Sequence, residues 1–339
     1  MTDQEQLVQN SLFDETARDG KEFQKIFGGE TTGISNLNDV KYDWVAPTFR
    51  LMVGNHWVPE KVDLSKDKVS VKNLTQEEDE GVQDTLSFLI FLDSFQSNNL
   101  PNIKDFITTP AVGNLIGIQI FQEIIHSQSY QVILDALYPF TTREEIYNKW
   151  RTNSVLKARN KFIAQIAEDF LVDRSRKNLK RVLVANFILE GIYFYQGFNF
   201  FYQLASRQKL VQTAKMIKYI ENDEVTHIGL FANIIREEMD PTGEDEELIR
   251  QMIREAVEHE IAWCKKVYGN KILGISEASS EQFIKWLAND RLARLHLDPE
   301  YPGITNPYKH LDGAKRENFF ETTVTEYSKS DTVGGWEEF

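Results

Sequence analysis

NLIGIQIFQEIIHSQSYQVIL, residues 114–134, decides the fold. Its one formal charge is Glu123, with His126 three residues on. Pro110 stands where a helix would open and Pro139 just beyond where it would close, so the spacing predicts a helix over 110–137. A helix this long and this apolar belongs inside a large core. The longest uncharged runs of the chain are interrupted by Glu190, Asn and Gln, which argues against a membrane span. The question is what a carboxylate is doing there.

Similar segments lie on either side. Thr75 to Glu78 form a capping box ahead of DTLSFLIFLDSFQSNN, residues 84–99, a helix that Pro101 is expected to stop. Shorter helical patterns fill 142–173. Long helices are expected over 177–206 and 209–238, the second ended by Asp240-Pro241, with two more near 243–268 and 279–296. No strand periodicity, phosphate loop or fixed-length repeat interrupts them. The expected architecture is all-α: a polar arm over 1–45, one bundle of long helices over 46–297, and a flexible polar tail over 298–339 that contains Pro299, Pro302 and Pro307.

With 339 residues, 41% of them hydrophobic, the chain can bury a large core. A net charge of −14 lacks the basic footprint of a nucleic-acid or anionic-membrane binder. One cysteine, Cys264, allows neither an internal disulfide nor a thiolate cluster and reads as a small buried residue. MTDQEQLVQN has no basic and apolar leader, so the expected location is the cytoplasm.

Glu123 is not alone. Asp93 is the only charge after Asp84 in its helix, Glu190 sits within ANFILEGIYFYQGFNFF (185–201), and Glu224 precedes His227 by three residues in KYIENDEVTHIGLFANII (218–235). A Glu-x-x-His pair projects from one helix face and aims an oxygen and a nitrogen at one point. An unpaired carboxylate in such surroundings costs several kcal/mol, and these segments hold no four lysines or arginines placed to pair the acids. Two divalent cations would balance Asp93, Glu123, Glu190 and Glu224, with His126 and His227 binding as neutral rings. Single acids from two helices and Glu-x-x-His from two others match the ferritin-like dinuclear carboxylate layout, a match to a known template. Oxygen-rich ligation with one imidazole per ion suits iron or manganese.

Tyr130 lies four residues after His126 and seven after Glu123, on the same helix face. LDSFQSNN, EIIHSQSY, FILEGIYFY, NDEVTH and NFFETTVTEY together make the sequence, from about Trp57 onward, resemble the small, radical-generating subunit of class I ribonucleotide reductase. The resemblance implies two iron ions, with two manganese ions or a mixed manganese–iron centre as alternatives, that react with dioxygen and leave a tyrosyl radical on Tyr130. It implies an apolar pocket around that tyrosine from Phe194, Phe198 and Ile220. Trp57 and Asp223 match the relay toward the separate large subunit, and Tyr327 matches the tail tyrosine that connects the two subunits electronically. A homodimer is implied as well. GGWEEF at the end fits a docking peptide, two glycines for reach and Trp336 and Phe339 as anchors.

Two other classes share parts of this pattern. A desaturase, hydroxylase or ligand-binding oxidase would use the same six ligands with a substrate channel but needs neither an exit relay nor a docking peptide, and the length and long flexible tail suit iron storage poorly. His56, beside Trp57, reads as structural or surface; His259, whose neighbours Glu258 and Glu260 point to other helix faces, reads as non-functional; His296 and His310 have no ligand partner at helical spacing. The acidic runs EEDEGVQD and PTGEDEE read as solvated helix starts.

Overall fold

The computed structural model describes residues 3–309 and Leu311. The helices are α1 (Val45–Gly54), α2 (Ser65–Ser70), α3 (Gln76–Lys104), α4 (Pro110–Leu137), α5 (Phe140–Thr152), α6 (Ser154–Val172), α7 (Arg176–Ile188), α8 (Tyr195–Ala205), α9 (Val211–Glu238), α10 (Glu246–Val267) and α11 (Glu277–Arg294). Among the described residues the only β pairing is two isolated bridges, Gln6 with Ser175 and Phe27 with Ile107. No described helix is long and apolar enough to cross a membrane. The centre is a bundle in which α3 packs on α4, α7 and α8 on α9, and α10 on α6 and α11.

The Thr75 capping box forms as the sequence predicts: the Thr75 hydroxyl accepts from Glu78 N–H and the Glu78 carboxylate accepts from Thr75 N–H. Pro101, however, does not stop α3, which runs on to Lys104. Proline removes one ladder hydrogen bond, but Leu100 and Ile103 on either side are fully buried, and their packing holds the last turn in helical form. Helical structure also starts earlier than expected, at Val45: Pro47 falls in the first turn of α1, where its missing N–H would have had no helical partner.

The helix expected over 177–206 is interrupted at its middle. Leu189–Tyr193 form a π turn between α7 and α8, and Glu190 lies within it. All five residues of this turn are buried.

Two acids expected to be solvated are buried instead. Glu78 is clamped by Arg207 and by Lys209, and Asp245 pairs with Lys180 at 2.9 Å. The arm docks on the bundle, with Leu7 N–H bonded to Arg174 O and Thr108 N–H to Ile26 O. Beyond Leu297 the described residues fold back: Glu300 reaches Arg250 and Arg254, and the Tyr308 hydroxyl bonds Ser279 Oγ at 2.9 Å. Tyr327 and GGWEEF lie outside the described residues.

Candidate metal centre

Each of the four central segments delivers its acid to one place. Asp93 comes from α3, Glu123 and His126 from α4, Glu190 from the π turn, and Glu224 and His227 from α9; all six side chains are fully buried. They form two overlapping donor sets, Asp93, Glu123, His126 and Glu224, and Glu123, Glu190, Glu224 and His227. Within each set the donor atoms lie within 4.8 Å of one another. Two atoms both bound about 2.1 Å from one ion are at most ~4.2 Å apart, so a small closure brings each set to coordination distance. Glu123 and Glu224 belong to both sets, so each could serve two ions.

Both histidines face the cluster through Nδ1. His126 Nδ1 is 3.2 Å from Glu224 Oε1 and 3.5 Å from Glu123 Oε2, and His227 Nδ1 is 2.9 Å from Glu224 Oε2 and 3.3 Å from Glu123 Oε1. Their Nε2 atoms point to outer acceptors, Asp223 Oδ2 at 3.1 Å from His126 and Gln122 Oε1 at 3.0 Å from His227. With a proton held on Nε2, Nδ1 is left as a lone-pair donor for a metal. Gln122 Nε2 donates to Asp223 Oδ1 at 2.9 Å and so ties the two outer acceptors together.

Besides His227 Nδ1, 3.4 Å from its Oε2, Glu190 meets two amides. Gln96 and Gln119 both donate to its Oε1, the latter at 2.7 Å. No lysine or arginine reaches any of the four acids among the described residues. Instead the oxygens of Asp93, Glu123 and Glu224 crowd against one another, Tyr130 and Nδ1 of His126. Like-charged groups are not buried together without a counter-charge, and this set of carboxylate oxygens and imidazole nitrogens fits a pair of cations.

The electrostatics agree. Burial, and then the charge of Glu123, holds Asp93 well above the ordinary carboxylate range; burial, Glu190 and Glu123 do the same to Glu224. Glu190 moves down, because burial is outweighed by hydrogen bonds from Glu224, His227 and Gln96. Burial opposes a charge on His227, yet the surrounding carboxylates, Glu190 first, push it up to about 9. Without cations, protons hold these acids together.

Tyr130 is fully buried, and its hydroxyl faces the carboxylate of Asp93. Burial and then the charge of Asp93 raise its phenol far above the usual value. Phe194, Phe198 and Ile220 are also fully buried, and the two phenylalanine rings stack with centroids 5.7 Å apart. Trp57 Nε1 donates to Asp223 Oδ2 at 2.8 Å, and its ring stacks on His126 and Tyr219.

Three residues escaped the sequence reading: Gln96, Gln119 and Gln122. Their signal was present, since Gln119 and Gln122 precede Glu123 and His126 by one turn and Gln96 follows Asp93 by three residues, which puts each amide on a ligand-bearing face.

The sequence model of the family described as ribonucleotide reductase, small chain, matches residues 34–307. The chain belongs to that family. The small chain is 38% identical to the ribonucleoside-diphosphate reductase subunit beta of Treponema pallidum over 96% of its own length and 97% of that protein. A solved ribonucleotide reductase R2 subunit from Clostridium botulinum shares 43% identity and superposes with a TM-score of 0.87 over 91% of the small chain and 99% of that structure. The dimanganese(II)-NrdF of Streptococcus sanguinis, 23% identical, shares the fold with a TM-score of 0.70, covering 79% of the small chain and 93% of that structure. The fold is therefore the ferritin-like one expected, and the small chain is the small subunit of a class I ribonucleoside-diphosphate reductase, which works with a large subunit. Membership of this family leaves the desaturase-type and storage readings without support.

Proposed function

We propose that Asp93, Glu123, His126, Glu190, Glu224 and His227 hold two iron ions and that Tyr130 stores the oxidising equivalent as a tyrosyl radical. The observation that carries this reading is the pair of donor sets sharing Glu123 and Glu224. Two manganese ions are the alternative, since both metals accept this ligand set. When bound, the two redox-active ions supply a route by which dioxygen withdraws an electron from the protein.

The residues of the chain do the rest. Burial and the charge of Asp93 keep the Tyr130 phenol protonated, so loss of an electron carries a proton with it. Fully buried surroundings, to which we assign Phe194, Phe198 and Ile220, keep water and reductants from the resulting radical. Trp57, hydrogen-bonded to Asp223, which in turn meets His126, is the exit toward the large subunit; Tyr327 continues it in the tail, and GGWEEF docks. The homodimer that the resemblance implies belongs to the same reading.

The test is to load the metal-free full-length protein with Fe(II) under dioxygen, and separately with Mn(II), and to record metal content and electron paramagnetic resonance. Two metals per chain and a tyrosyl signal that is absent from Tyr130→Phe are expected. A parent protein that binds no metal pair, or a signal that survives in Tyr130→Phe, would overturn the assignment.

A further inference from the structure

The π turn that carries Glu190 is held from outside by two buried arginines. Arg291, on α11, donates from Nε to Gly191 O at 2.7 Å, and Arg159, on α6, donates from Nη2 to Tyr193 O at 2.7 Å. Both arginines come from helices that supply no metal ligand, and neither reaches the four acids. Arg159 is completely buried, ion-paired with Glu260, and lies over the rings of Phe88 and Tyr193 at 3.4 and 4.4 Å. Arg291 is 4% exposed and lies 4.5 Å over the ring of Tyr195.

A π turn departs from the i→i−4 ladder, and its backbone carbonyls, buried here, need donors. Placing two guanidinium groups deep in the protein is costly, and neither neutralises an acid of the centre. Gly191 shows how closely the fit is made. A Cβ there would lie 2.9 Å from Arg291 Nε and 3.0 Å from its Cδ, so only glycine lets the side chain reach the carbonyl. Glu190 is the residue immediately before.

We propose that Arg291 and Arg159 are positioning residues for the metal centre: by bonding the carbonyls of Gly191 and Tyr193 they fix the π turn, and through it the direction of the Glu190 carboxylate. The proposal rests on the dinuclear reading above. Its consequence is asymmetric. Glu190 belongs only to the donor set that contains His227, whereas Asp93 and His126 make up the part of the other set that the turn does not touch. Loosening the turn therefore weakens one metal position and spares the other.

The experiment is titration of metal-free, full-length protein with Mn(II), followed by electron paramagnetic resonance, with hydrogen exchange read over 189–195 and over α4. Arg291→Met removes the donor, Gly191→Ala displaces it without removing it, and Arg291→Lys restores a cationic donor. In Arg291→Met and Gly191→Ala one of the two bound ions should weaken by about tenfold to a hundredfold, the usual effect of losing a group that orients a ligand, while the other stays within about twofold. Amides of 189–195 should exchange faster and those of α4 should not; Arg291→Lys should recover most of the loss. Equal weakening of both ions, or unchanged binding in a properly folded Gly191→Ala protein, would overturn the proposal. A parent that fails to take up two Mn(II) would instead refute the dinuclear reading.

Discussion

One oxygen of Asp223 serves two partners: Oδ2 accepts from Trp57 Nε1 at 2.8 Å and lies 3.1 Å from Nε2 of His126. A side chain that lines a surface cleft and a ring at the centre are thus joined through a single carboxylate. Asp223→Asn would break the charge-assisted bond to His126, and affinity for the ion on that side should fall about tenfold or more. Trp57→Phe should leave metal content and radical yield intact but cut turnover with the large subunit. Mn(II) titration checks the first, and a two-subunit reductase assay the second. Normal turnover by Trp57→Phe would remove it from the relay.

Tyr130 should be separable from the site that serves it. Its hydroxyl faces Asp93, whereas none of the six candidate ligands depends on it, so Tyr130→Phe should take up two ions like the parent while losing the radical. Metal analysis beside electron paramagnetic resonance checks both, and a Tyr130→Phe protein that no longer takes up two ions would show that the hydroxyl helps to hold the centre.

Glu190→Ala should lower the binding stoichiometry from two ions toward one. It removes an oxygen from the His227 set alone and leaves Gln96 and Gln119 facing a gap. Metal analysis after gel filtration reads this directly, and two tightly held ions in the variant would place the second site elsewhere.

Glu260 supplies a pH dependence. Burial raises its carboxyl from 4.5 to about 7, with Arg159 offsetting only part of the shift. The folded protein therefore holds this proton more tightly than the unfolded chain does. Stability from this source is complete below about 4.5 and is lost as pH rises through about 7, a change of about 3 kcal/mol. Between about pH 5 and about pH 8, metal-free parent protein should lose more stability than Glu260→Gln, as followed by urea unfolding. Parallel curves for the two proteins would show that Glu260 does not titrate in this range.

Removal of GGWEEF should abolish turnover with the large subunit and leave metal binding and the Tyr130 radical unchanged. Sedimentation of the mixed subunits is the check: a truncated chain that still co-sediments docks by another surface.

The six residues that the structure gathers into two donor sets were legible because acids in apolar helices stand out against their neighbours, and Glu-x-x-His marks a shared face. The π turn was not, since one extra residue in a helical turn leaves no mark in a run as uniformly apolar as FILEGIYFY. Glu78 reads as a solvated cap in the sequence because its clamps, Arg207 and Lys209, come from more than a hundred residues away. Pro101 misled for a related reason: local propensity ends α3 there, and tertiary packing of Ile103 carries it on. The amides around Glu190 were overlooked because glutamine is ordinary on a helix and becomes informative only when it is buried.

Those amides have a further meaning. Gln96 and Gln119 orient Glu190 yet bring no charge, so its carboxylate keeps a negative charge to offer a cation. A lysine at position 119 would answer the same carboxylate with an ammonium group, and the pocket would close on itself as an internal salt link. Neutrality at these two positions is what leaves room for a dication.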